Sequence, residues 1–289
     1  MKENILVTGH RGFIGKHLTK LLDILKLPWV GYDILEGNDI RNRHDLERSF
    51  DCNQFRYVIH LAAHAGVRRA KLYPEEYIST NILGTQNVVD MCSKFKIKNL
   101  IFYSSSSVYG EAETPPIKEY SKKEPMSLYG ITKLAGEKIV NIAECQTTTV
   151  VPFTVYGEDG RKDEVIYRWL EQYKNGLPIT VYGKGDSCRG YVYVEDLIEA
   201  TVNLLYKDFD EKHNDFNLGG SEIIYLRDIV EVFKESFPDA KFTTLNLPIE
   251  DPYKNFANTD KAKEAIEFDP EPNFINNLKK IISDYKKCN

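Results

Sequence analysis

The chain has 289 residues, enough for two packed units or for one large α/β unit with an appendage. Its 42% hydrophobic and 28% charged residues are ordinary globular usage, which excludes disordered, collagen-like and fibrous classes. With 38 Lys and Arg against 43 Asp and Glu, the net charge of −5 offers no general attraction to nucleic acid or to an anionic membrane.

Short β-branched or aromatic runs alternate with amphipathic stretches from the start, the rhythm of βαβ units and a parallel sheet. Ile5-Leu6-Val7-Thr8 is the first strand, and residues 13–25 carry apolar side chains at helical spacing. Trp29-Val30-Gly31-Tyr32, Tyr57-Val58-Ile59-His60-Leu61 and Asn99-Leu100-Ile101-Phe102-Tyr103 follow as strands, with one long helix expected between the last two, over about 74–95. A helix is expected at 127–144 and a strand at 148–153. Beyond Thr154 the rhythm becomes irregular: a helix around 164–175, a strand at 179–182, the run 189–194 and a helix at 196–206. Residues 215–220 can return a strand to the first sheet. The expected fold is a Rossmann-type doubly wound parallel sheet with a smaller, discontinuous α/β substrate domain. Residues 1–153 plus about 189–220 form the dinucleotide-binding part, and about 154–188 plus 221–289 the substrate part.

The cysteines, Cys52, Cys92, Cys145, Cys188 and Cys288, have neither zinc-site spacing nor a disulfide framework, so a reduced, cytoplasmic protein without a metal site is expected. No apolar run approaches the roughly 20 residues that span a bilayer, and residues 1–4 lead straight into a strand rather than a signal peptide.

Gly9-His10-Arg11-Gly12-Phe13-Ile14-Gly15 lies between the first strand and its helix, where glycines permit a tight turn and a pyrophosphate meets the helix N-terminus. Asp33, ending the second strand, stands where a carboxylate accepts hydrogen bonds from an adenosine ribose, which favours NAD. Arg11, inside the turn, can pair with a 2′-phosphate and keeps NADP open. As structural residues, Asp33 would be a strand-end turn former and Arg11 a solvated loop cation.

Tyr129 and Lys133 lie one turn apart on an expected helix and share a face, so the ammonium can stabilise a phenolate and make it a general base. Among 18 tyrosines such a spacing arises by chance. Its weight comes from Ser104-Ser105-Ser106-Ser107, poor strand formers placed at the carboxyl end of a strand, where open α/β sheets bind ligands.

Taken together, Gly9-x-x-Gly12-x-x-Gly15, Asp39-Ile40, His60-Leu61-Ala62-Ala63, Asn81, the serine run through Val108-Tyr109-Gly110, Tyr129-x-x-x-Lys133 and Arg189-x-Tyr191-x-Tyr193-Val194-x-Asp196 resemble the extended short-chain dehydrogenase/reductases of the nucleotide-sugar epimerase/dehydratase family. The resemblance covers nearly the whole chain. It implies a tightly held NAD, a catalytic set of Ser105, Tyr129 and Lys133, a nucleoside-diphosphate sugar substrate and a homodimer. It places Asp39 and Ile40 around the adenine, Leu61, Ala62 and Ala63 along the cofactor, Asn81 in support, and Arg189 on the diphosphate. The dimer would join the helix of Tyr129 to the one after Asn81, with Ile139, Ile142, Val88 and Met91 as candidate contacts.

Dehydratases of this family carry Asp-Glu where this chain has Ser106 and Ser107, so hydride chemistry at one carbon is expected instead. Ala62-Ala63-His64-Ala65-Gly66-Val67-Arg68, Pro125-Met126-Ser127-Leu128-Tyr129, Phe153-Thr154-Val155-Tyr156-Gly157 and Gly160-Arg161-Lys162-Asp163 resemble UDP-glucuronate 4-epimerases. The expected reaction is C4 inversion of a UDP-hexose or UDP-hexuronate through a 4-keto intermediate. Arg68, Ser106, Ser107, Thr154, Arg161, Arg189 and Asp251 are the expected substrate contacts, with hydroxyls and Arg161 suited to a carboxylate. The late loop Pro248-Ile249-Glu250-Asp251-Pro252 lacks the family's arginine, which removes a diphosphate contact. Arg11 and the short chain keep open a reductase of 4-keto-6-deoxy sugar nucleotides, and a non-catalytic dinucleotide-binding module is the third alternative.

Overall fold

A computed structural model describes residues 4–288; residues 1–3, the expected lead-in to the first strand, and residue 289 lie outside the described residues. In chain order the strands are β1 (Asn4–Thr8), β2 (Trp29–Tyr32), β3 (Phe55–His60), β4 (Asn99–Tyr103), β5 (Gln146–Pro152), β6 (Thr154–Tyr156), β7 (Ile179–Tyr182), β8 (Cys188–Tyr193), β9 (His213–Leu218), β10 (Ile223–Tyr225), β11 (Phe242–Leu245) and β12 (Lys254–Asn255). The helices are α1 (Phe13–Ile24), α2 (Arg43–Asn53), α3 (Val67–Leu72), α4 (Pro74–Ile78), α5 (Thr85–Lys94), α6 (Leu128–Val140), α7 (Val165–Lys174), α8 (Val194–Tyr206), α9 (Leu226–Ser236), α10 (Asp260–Ile266) and α11 (Phe274–Cys288).

Strands apolar on both faces need helices on both faces. Six of them form a parallel sheet in the order β2-β1-β3-β4-β5-β9. Alternate residues Ile5, Val7, Tyr57, Ile59, Ile101 and Tyr103 point to one side, with Leu18 and Leu22 of α1 and Leu197 and Leu204 of α8. Their neighbours Leu6, Val58, Leu100 and Phe102 point to the other, with Leu46 and Phe50 of α2 and Val88, Met91 and Cys92 of α5. From β1 the chain first adds β2 on one side and then β3 on the other, opening a crevice at the carboxyl ends of the strands. This is the doubly wound architecture expected from the sequence.

The second sheet is small. β8 is its centre, antiparallel to β10 and parallel to β6 and β12, while β7 pairs with β11. With α7, α9 and α11 these strands enclose a third core around Trp169, which is 0% exposed and donates through its indole N–H to the Thr180 carbonyl at 2.7 Å. The chain's other tryptophan, Trp29 on β2, is half-buried against the first core.

Several expectations need correction. The sequence groups residues 189–193 with the dinucleotide-binding part, yet β8 hydrogen-bonds only within the small sheet; α8 and β9, which follow, do return to the large one. Nor do residues 221–289 stay together, since Ala262 and Ile266 of α10 bury against the first core beside α8 and β9. The helix expected over 74–95 is interrupted by a π-helical segment at Ser79–Gly84. There the widened turn carries Asn81, whose side chain accepts from the His64 N–H at 2.8 Å and donates to the His64 carbonyl and to Thr132 Oγ1, both at 3.0 Å. Of the expected dimer contacts, Val88 and Met91 are wholly inside the monomer, whereas Ile142 is 72% exposed. No helix among the described residues is long and apolar enough to cross a membrane.

Candidate active site

The crevice holds a cavity of about 460 Å³, walled by the glycine turn, the ends of β3, β4 and β5, the start of α6 and the late loop at 250–252. At its cofactor end the turn is held by backbone crowding. Gly9 sits at φ +74°, and a Cβ there would lie 2.6 Å from the Ala62 nitrogen, while a Cβ on Gly15 would lie 2.4 Å from the Gly9 carbonyl oxygen. α1 begins at Phe13 with no side-chain cap and no acidic residue in its first turn, so its N-terminus is left for an anion. Gly9, Gly12, Phe13, Ile14, Gly15, Leu61 and Ala63 line this end, and the donor set fits a dinucleotide pyrophosphate.

Arg11, Asp33, Asp39, Ile40, Ala62 and Asn81 stand behind or beyond the cavity wall. Asp33 is 6% exposed and accepts from the backbone N–H groups of Arg11 and Leu35, each at 2.9 Å, so its role as a turn former is filled as well. The Arg11 guanidinium lies 3.7 Å from Glu36. A 2′-phosphate here would face two carboxylates, which sets the pocket against NADP. Asp39 is clasped by Arg41, whose hydrogen bonds hold its carboxyl below the usual range, and Ile40 is buried beneath Gly84.

β4 delivers Ser104 to Ser107 at the cavity floor. Ser105 caps a short 3-10 turn, its Oγ accepting from the Ser107 N–H at 3.2 Å. α6 begins at the Ser127 cap, whose oxygen accepts from the Gly130 N–H at 3.1 Å, and this fixes the helix phase so that Tyr129 and Lys133 face the cavity. Burial pushes the Tyr129 phenol up; Arg161 and a hydrogen bond with Ser105 pull it down. Lys133 lies 4.6 Å from the centre of the Phe102 ring, and burial lowers its ammonium to about 7, against the pull of Glu137. Glu137, one turn further along α6, escapes sequence reading, although a lone carboxylate in an apolar helix is the available sign. It accepts from Ser104 Oγ at 2.5 Å and pairs with Lys123 at 2.7 Å.

The far end of the cavity is dense in charge. Arg161 donates from Nε and Nη2 to the two oxygens of Asp163 at 3.0 and 2.7 Å, and its Nη2 lies 3.2 Å from Glu164. About a third of the Arg161 and Glu164 side chains remains accessible, and both line the cavity. Burial raises the Glu164 carboxyl, with Arg161 opposing; burial works the same way on Asp163, but Arg161 wins and holds it low. Arg68 on α3 pairs with Asp251 at 2.8 Å, and Lys71 pairs with Glu250. Arg189 donates from Nη1 to the Cys188 and Tyr253 carbonyls at 2.8 and 3.3 Å. Thr154, Ser106 and Ser107 complete the wall. An adjoining recess of about 150 Å³ is lined by Arg68, Arg168, Arg189 and Tyr182 among others. Asp163, Glu164 and Arg168 are not expected here from the sequence, because their residues read as a charged loop and a helix surface.

The chain is similar to known proteins over most of its length. The sequence model described as the NAD dependent epimerase/dehydratase family matches residues 5–219. A UDP-glucuronate 4-epimerase of Thermodesulfobacterium geofontis is 32% identical over 96% of this chain and 94% of its own. The crystal structure of the Bacillus cereus UDP-glucuronic acid 4-epimerase, in complex with UDP-glucuronic acid and NAD, superposes with a TM-score of 0.89 at 28% identity, covering 99% of this chain and 100% of that one. The Thermotoga maritima UDP-glucose 4-epimerase with UDP-glucose does so with a TM-score of 0.89 at 26% identity, covering 99% of both.

Proposed function

The chain belongs to the NAD-dependent epimerase/dehydratase family, and from that premise we propose that it inverts C4 of a UDP-linked hexose or hexuronate with NAD retained in the crevice. The observation that carries this reading is the meeting of Ser105, Tyr129 and Lys133 with the glycine turn around one cavity. Gly9, Gly12 and Gly15 with the first turn of α1 would hold the pyrophosphate, and Asp33 the adenosine ribose. When bound there, NAD would supply the hydride acceptor and donor for C4.

The chain's own residues handle the proton and the orientation. Tyr129 takes the C4 hydroxyl proton, and Ser105, which lines the same cavity, hydrogen-bonds the same oxygen. Lys133 would hold the nicotinamide ribose. Burial lowers its ammonium to about 7 despite Glu137, so a Tyr129 phenolate would draw it toward the charged form. After oxidation the keto sugar turns in the cavity and Tyr129 returns the proton to the product. Arg189 meets the diphosphate, with Ser106, Ser107 and Thr154 along the sugar. We place the cofactor on the large sheet and the nucleotide sugar on the small one.

Replacing Tyr129 by Phe should lower kcat by at least about 10³-fold while the purified protein still releases NAD on denaturation. Near-normal turnover by this variant would overturn the assignment. We also infer a homodimer through α5 and α6, supported by the exposed apolar side chains of Leu83, Ile131 and Ile142 at 59%, 51% and 72%. Sedimentation at a single-protomer mass under micromolar conditions would reject it. The five cysteines are free, which suits a reducing cytoplasm.

A further inference from the structure

The pairing of charges at the substrate end distinguishes among sugars. Three cations there are already committed: Arg161 to Asp163 and Glu164, Arg68 to Asp251, and Lys71 to Glu250. Arg168 and Arg189 differ, for neither has a carboxylate within 4.0 Å among the described residues. Arg189 is bonded to backbone carbonyls only. Arg168 rests 4.9 Å from the centre of the Tyr182 ring, and its buried Nε has no hydrogen-bond partner. Both line the adjoining recess, which opens onto the main cavity through shared residues including Thr154 and Glu164.

A nucleoside diphosphate ester carries two negative charges, and the uncommitted guanidinium groups match them. This also makes good the arginine missing from the late loop. A hexuronate brings a third charge, and Arg161, which lines the same cavity as Tyr129, is the cation the sequence offers to it. That cation is held in a bidentate grip by Asp163, and Glu164 adds a further carboxylate to the same nitrogen.

We propose that the site selects an uncharged nucleotide hexose over a hexuronate, and that Glu164 is the specificity residue, occupying the face of Arg161 that a sugar carboxylate would need. The inference rests on the C4-epimerase reading above and narrows its substrate. At cavity distances and an effective dielectric near 20, removing one like charge changes binding of an anion by at least tenfold.

The test uses the NAD-loaded protein with UDP-glucose, UDP-galactose, UDP-glucuronate and UDP-galacturonate. For the wild type, kcat/KM for the better hexose should exceed that for the better hexuronate by tenfold or more. Glu164→Gln, isosteric and at a position that makes no side-chain cap bond, should raise the hexuronate-to-hexose ratio at least tenfold. Arg168→Met should weaken binding of UDP itself and leave that ratio unchanged. Wild-type preference for a hexuronate, or a ratio unmoved by Glu164→Gln, overturns the proposal. Calorimetric binding of UDP-glucose and UDP-glucuronate separates the two readings: absence of turnover on all four sugars defeats the epimerase, while the binding ratio and its response to Glu164→Gln still decide the charge preference.

Discussion

The two ends of the cavity are built on different principles. The cofactor end is made of backbone: a glycine turn closed on itself, a bare helix N-terminus and hydroxyls following a strand. The substrate end is made of side-chain charge, with guanidinium and carboxylate groups brought from α3, the loop before α7, β8 and the loop before β12. A backbone device must be contiguous in sequence, whereas a charge lattice can be assembled from any segment the fold brings near. On the reading proposed above, generic recognition of a pyrophosphate would sit in the first and discrimination between sugars in the second.

That contrast breaks most readily at the glycines. Gly15→Ala places a methyl group against the Gly9 carbonyl and the His10 backbone, and the turn must open to admit it. We expect a loss of about 3 kcal/mol in stability and at least a hundredfold weaker NAD binding, read by thermal melting and NAD titration. Normal NAD binding by the Gly15→Ala variant would show that the turn is not the rigid element claimed. A smaller effect sharpens the border between the ends, where Lys133 lies. A buried lysine whose pKa falls to about 7, from an unfolded value near 10.4, costs stability in full below about pH 7, and the cost fades as pH rises toward 10. Lys133→Met should therefore abolish turnover yet stabilise the NAD-free protein by on the order of 2 kcal/mol at pH 7. That gain should shrink toward zero near pH 10 in urea melts; a gain independent of pH would assign it to packing instead.

Sequence reading succeeds where structure is local. β1, β2, β4 and β7 stand where their apolar runs put them, and the serine run and the Tyr129, Lys133 pair share one cavity. α2 passes unnoticed because Leu46 and Phe50 are its only apolar contributions to the core among charged neighbours. The π-helical turn at Asn81 has no residue signature, since it exists to bring one amide to the His64 backbone. β8 reads as part of the wrong sheet because its pairing with β6, β10 and β12 is decided by distant strands. Arg161 reads as a free donor for a carboxylate; its partners are its near neighbours in sequence, but only the fold turns all three into the same cavity.

The placement of the two tryptophans has a spectroscopic consequence. Trp169 is sealed in the third core beside Phe233, at a ring separation of 5.1 Å, while Trp29 lies at the margin of the first core with its indole N–H on Asp23 at 2.8 Å. A dry indole emits to the blue of a partly wet one, so the first and third cores each carry their own indole fluorophore. With either indole replaced by Phe, the emission of the other follows one core alone, and denaturation curves then tell whether the cofactor and substrate halves come apart together or in turn.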